Sequence, residues 1–127
     1  LSFSADYQKG LDAYNHGDFQ AALREWRPLA EQGDANAQWE LGFMYRFGLG
    51  VAENHTEAVK WYRKAAEQGY APAQTNLGWL YFNGYEGVAP NRAIAVHWFS
   101  EAAAQGNRAA VRNLQALGEE IPGQGGS

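Results

Sequence analysis

The chain contains no cysteine among its 127 residues. That absence excludes disulfides, thiolate metal ligands and a cysteine nucleophile, while fitting reducing and oxidising compartments alike. No stretch approaches the roughly 18 consecutive apolar residues that a membrane-crossing helix needs, so membrane insertion is not expected. The N-terminus lacks a basic region followed by an apolar run, the pattern of an export signal. Serine occurs only at positions 2, 4, 100 and 127, never within G-x-S-x-G or S-x-x-K. The ten basic residues are scattered and the net charge is −4. Without a basic stripe, a nucleic-acid partner is not expected.

Histidine is scarce too. His16, His55 and His97 form no i, i+4 pair, so no metal pair is visible. The glycine-rich loops lack a lysine followed by Ser or Thr, which a phosphate-binding loop would carry. No catalytic residue, metal ligand or cofactor is expected. Asn54-His55-Thr56 matches a glycosylation sequon, but Asn54 is better explained as a helix cap.

What is present is repetition. Residues 35–70 and 71–107 share one frame: A-x-A-Q, then L-G-x-x-Y-x-x-G, then G-V, then N-x-x-x-A-x-x-W, then A-A-x-x-G. A period of about 36 residues marks a solenoid of stacked helix pairs. The second helix of each unit begins at a short capping side chain, Asp18, Asn54 or Asn91. Ala22, Ala58 and Ala95 follow, then Trp26, Tyr62 and Phe99, then Ala30, Ala66 and Ala103. Spacing by fours places each set on one helix face, where small residues admit a neighbouring helix and the aromatic fills the space. Gly33, Gly69 and Gly106 end the helices. Gly42 and Gly78 fall inside the first helices and are expected to make room for a bulky side chain from the paired helix. The loop Gly48–Val51 becomes Gly84–Val88 with one residue inserted.

The first unit, about 5–34, is a variant: Tyr14 and Gly17 match Tyr45 and Gly48, but the loop is shorter. Its helices are expected at about 5–16 and 19–32, with Pro28 kinking or locally breaking the second. A half repeat at the C-terminus, with Ala110, Leu114 and Leu117 on the pattern of Ala73, Leu77 and Leu80, predicts a capping helix over about 107–118. The glycine-rich remainder, 119–127, reads as a disordered tail. The expectation is one all-α domain over 1–118 with about seven antiparallel helices and no strands.

The shared frame resembles the Sel-1-like repeat, a relative of the tetratricopeptide repeat with a longer loop inside each helix pair. Two full repeats match, and the first unit looks more like a tetratricopeptide repeat. The second-helix starts carry Asn54 and Asn91 where the family often has Asp, a change that keeps the cap. The resemblance implies a right-handed α-solenoid whose first helices line a concave side, acting as an adaptor or scaffold for other proteins. Bacterial relatives are often periplasmic, secreted or host-directed, which implies such a location for a bacterial chain whose leader has been removed, and the cytoplasm otherwise. Some cysteine-rich relatives are associated with penicillin binding or hydrolysis; a chain without cysteine is a poor match to them.

By analogy with the tetratricopeptide frame, the inner positions are Asn36, Trp39, Phe43, Arg46 and Phe47, then Pro72, Thr75, Trp79, Phe82 and Asn83, then Ala109, Arg112 and Ala116. The first unit adds Gln8, Asp12, Asn15 and His16. Five large aromatics flanked by Arg46 and Arg112 suit a groove for a protein or peptide ligand, because aromatics and arginine dominate binding hot spots and arginine grips carboxylates. Trp39 and Phe47 are expected to lean toward packing between repeats. Phe43, Trp79 and Phe82 stand open between groove and packing. An assembly role through the ends or outer face is the competing reading, and oligomeric state is open. A β-lactam or cell-wall hydrolase is remote, since no activated nucleophile is visible.

Overall fold

The computed structural model describes residues 5–123. Among them are seven helices and no strand: α1 (Tyr7–Asn15), α2 (Phe19–Glu31), α3 (Ala35–Phe47), α4 (His55–Glu67), α5 (Ala71–Asn83), α6 (Arg92–Ala104) and α7 (Arg108–Leu117). Each helix packs chiefly on the next in sequence, giving an α-solenoid.

The helices start where a side chain can take up an orphan backbone N–H. Asp18, Asn54 and Asn91 accept from Ala21, Glu57 and Ile94, as their positions suggested. Asp6, Asp34 and Asn107 cap α1, α3 and α7 in the same way. Helix α5 has no such cap; Pro72 in its first turn is pre-set for helical φ instead.

The expected face of each second helix is the core. Ala22, Ala58 and Ala95 are fully buried, and so in effect are Trp26, Tyr62 and Phe99. Opposite each aromatic lies a glycine. A Cβ added at Gly42 would stand 2.6 Å from the Tyr62 ring, and one at Gly78 2.5 Å from Phe99. Gly10 plays the same part against Trp26, where an added Cβ would stand 2.2 Å from the indole Nε1 and force a shift. The match of Tyr14 to Tyr45 leaves Gly10 one residue out of register with Gly42, so sequence comparison did not find it.

Two expectations need correction. Helix α2 is not broken at Pro28: it runs on to Glu31. The proline costs one backbone hydrogen bond, while Trp26 and Ala30 on either side stay anchored in the core. Nor is the tail free from residue 119. Glu119 pairs with Arg92 at 2.9 Å, its N–H donates to the Leu114 carbonyl, and Ile121 packs on the core around Phe99 and Leu114. Residues 124–127 of the expected tail lie outside the described residues.

Candidate interaction face

Lateral contacts between first helices fix the candidate face. The Tyr7 hydroxyl donates to Glu40 Oε1 at 2.7 Å, tying α1 to α3. The Trp39 indole donates to Asn76 Oδ1 at 2.6 Å, tying α3 to α5. Thr75 Oγ1 donates to Asn107 Oδ1 at 3.0 Å, tying α5 to the start of α7. These bonds set α1, α3, α5 and the start of α7 side by side.

On α3 the i, i+4, i+8 spacing brings three aromatics into one file. Trp39 and Phe43 have ring centroids 5.7 Å apart, and Phe43 and Phe47 4.7 Å apart. On α5, Trp79 touches Phe82 at 6.0 Å and meets the buried Phe99 edge-on at 6.4 Å. The Arg46 guanidinium lies over the Phe47 ring, 5.0 Å from its centroid, an arrangement that favours cation–π attraction.

Burial divides the residues singled out in the sequence. Trp39 is half-buried, bonded to Asn76 and set against the Phe43 ring at an interplanar angle of 36°. Phe43 is half-buried against the core around Tyr62 and Leu77. Phe47 departs from expectation. It is 49% exposed, because it closes α3 beyond the reach of the next repeat. Trp79 and Phe82 are each 37% exposed. Thr75 is a poor ligand contact, being 7% exposed with its hydroxyl already spent on Asn107. Asn36, Asn83 and Arg112 are exposed, and Arg46 is half-buried. Gln8, Asp12, Asn15 and His16 are exposed on α1, where Gln8 bonds Asp12.

One carboxyl on this side is unusual. Glu40 is buried beneath Tyr7, and burial holds its carboxyl above the ordinary carboxylate range, the Tyr7 hydrogen bond opposing this only in part. Burial, reinforced by Glu40, pushes the Tyr7 phenol up in turn.

A second set of polar residues escaped the sequence reading although its signal was in view. The glutamine of each A-x-A-Q is buried and works as a joint between units. Gln38 donates to the Ala30 carbonyl, and Gln74 to the Ala66 carbonyl, each at 3.1 Å. Gln68 donates to Gln38 and to the Gly33 carbonyl; Gln105 repeats this toward Gln74 and Gly69. Arg27 bonds the Tyr45 hydroxyl and Arg63 that of Tyr81 in the same relation. Retention of these polar residues in both repeats was the clue, since a solvent-facing glutamine has no reason to recur.

Comparison with known proteins agrees with this architecture. A family model described as Sel1 repeat matches residues 35–70 and 71–107. The chain belongs to the Sel1 repeat family. Among solved structures, it is similar to a protective antigen of uropathogenic Escherichia coli strains displaying an SLR fold. Identity there is 38% and the TM-score 0.82, covering 90% of this chain and 26% of the other. A Sel1 repeat protein from Oxalobacter formigenes is 36% identical with a TM-score of 0.83, over 88% of this chain and 46% of that one. Two curated relatives are named exopolysaccharide production negative regulator. The one from Rhizobium meliloti (strain 1021) is 41% identical over 54 residues, and the one from Rhizobium leguminosarum bv. viciae 35% over 54. In each, the match covers 42% of this chain and 20% of the relative, so the Sel1 chain spans only a fifth of those proteins. Sel1 repeats typically mediate protein–protein interaction, and their fold is generally a non-catalytic scaffold.

Proposed function

We propose that this Sel1 chain is a protein-binding module that engages a segment of a partner protein on the face formed by α1, α3, α5 and α7, without turnover. The observation that carries this reading is the exposure of Phe47, Trp79 and Phe82 on that one face, while the other large hydrophobic side chains among the described residues are buried or half-buried. Exposed aromatics of this kind are what a binding hot spot uses, because they bury much area at little cost in rotamer entropy. Asn36, Asn83, Arg46 and Arg112 supply polar contacts around them, and Trp39 and Phe43 form the packed floor. The matched relatives, named as regulators of exopolysaccharide production, are much longer proteins; a regulatory partner for this chain is consistent with their names.

A peptide library displayed on phage and selected against the immobilised protein tests this. Selected peptides should bind wild type and lose at least tenfold in affinity against a Phe47→Ala/Trp79→Ala/Phe82→Ala variant whose circular dichroism is unchanged. Equal binding to both folded proteins would move the working surface elsewhere.

A further inference from the structure

The opposite side of the solenoid carries a feature of another kind. Between α2 and α4, floored by Gln38 and Tyr45 of α3, runs an open groove of about 850 Å³. Arg27, Lys60 and Lys64 line it. None of the three makes an ion pair among the described residues, although Glu31 and Glu57 also line the groove. The two lysines, at i and i+4 on α4, both hold their ammonium groups over the Trp61 ring, 5.4 and 5.8 Å from its centroid. Arg27 is held from below by the Tyr45 hydroxyl at 3.0 Å. The cations are thus positioned by the fold on both walls of the groove.

Trp61 adds a second observation. It also lines the groove, is 5% exposed, and its Nε1 makes no hydrogen bond within the protein. Buried donors are almost always paired, so an unpaired indole N–H beside three cations and two carboxylates adds to an excess of donors over acceptors along the groove.

The repeat itself provides the control. The equivalent groove between α4 and α6 keeps the frame: Arg63 for Arg27, Tyr81 for Tyr45, Trp98 for Trp61. At the two lysine positions, however, it has His97 and Glu101. The fold therefore does not need lysine there, and the positive character belongs to the first groove alone. It sits in a chain whose net charge is −4.

We infer that the groove between α2 and α4 is a second docking site, which takes an acidic segment of a partner protein. Its carboxylates would lie between Arg27 on one wall and Lys60 and Lys64 on the other. Opposite charges across an open surface give orientation and rate more than raw affinity, so the interaction is salt-sensitive. The site is independent of the aromatic face, and a partner could engage both.

The test uses a fluorescein-labelled peptide of glutamates spaced by glycine and alanine, with the glutamine version as control, followed by anisotropy in about 50 mM salt. The second repeat dictates a compatible variant, Lys60→His/Lys64→Glu. Saturable binding of the glutamate peptide, weakened at least tenfold by this variant and by salt but unchanged in Phe47→Ala/Trp79→Ala/Phe82→Ala, is the expected result. No saturable binding, or equal binding to wild type and the lysine variant, overturns the proposal. So does a lysine-dependent response to inorganic phosphate or to phosphatidylserine vesicles without one to the peptide. Arg27→Gln, which leaves the lysines in place, provides a second variant should the first be poorly folded; its expected effect is a severalfold loss, and unchanged affinity counts against the site.

Discussion

Gly42 lies under the ring of Tyr62 so closely that a methyl group on it would sit 2.6 Å from ring carbon Cδ1. The ring is fully buried and joins the core shared by α4 and α5. Glycine inside a helix costs about 1 kcal/mol relative to alanine. It is kept because helix α3 can approach α4 only if this point is bare. Gly42→Ala should therefore destabilise the protein despite its better helix propensity. Overpacking costs about 1–3 kcal/mol, from which the propensity gain is subtracted. Urea unfolding followed by circular dichroism measures it. A lower midpoint is expected, and equally for Gly78→Ala against Phe99.

Gln74 joins the two full repeats, donating to the Ala66 carbonyl and accepting from Gln105. Gln74→Leu removes one of two partners from the buried Ala66 carbonyl, which keeps the Gly69 N–H, and one of two from the Gln105 amide, which keeps the Gly69 carbonyl, at about 0.5–1.5 kcal/mol for each bond lost. The loss should appear as a lower unfolding midpoint. Amide hydrogen exchange should quicken at the junction of α4 and α5 before it does in α2, which the substitution does not touch.

Glu40 predicts a pH dependence. Its carboxyl is held above the ordinary range by burial, so the folded state binds the proton more tightly than the unfolded chain. The stability this contributes is complete below the unfolded-state value of about 4.3 and is lost as pH rises through the higher folded value. Glu40→Gln keeps an acceptor for Tyr7 but cannot ionise. Unfolding midpoints measured from pH 4 to 8 should fall less steeply for the variant, which gains on wild type toward neutral pH.

The aromatics of α3 should separate by stability. Phe47, half exposed, should tolerate Ala at a cost below about 1 kcal/mol. Phe43, packed against the core around Leu77, should cost about 2–3 kcal/mol. Thermal unfolding of the two single variants decides it; equal losses would mean that Phe47 is held by contacts that its exposure does not suggest.

The sequence by itself determined the repeat, the helix caps at Asp18, Asn54 and Asn91, and the buried file from Ala58 through Tyr62 to Ala66. Those features follow from short-range spacing: a helix turns every 3.6 residues, so the pattern of small, aromatic and glycine residues fixes which face is buried. The space above Gly42 was legible for the same reason, since an unfavourable residue kept twice needs a tertiary cause. Which aromatics of α3 and α5 remain uncovered was decided only by the tertiary structure. Trp39, Phe43 and Phe47 share one spacing on one helix, yet exposure rises toward the C-terminal end because α5 covers the first two and not the third. Thr75 likewise looks available on its helix and is closed only by Asn107, 32 residues away. The groove between α2 and α4 exists in neither helix alone. Periodicity tells which way a side chain faces, whereas burial depends on what the rest of the chain brings opposite it.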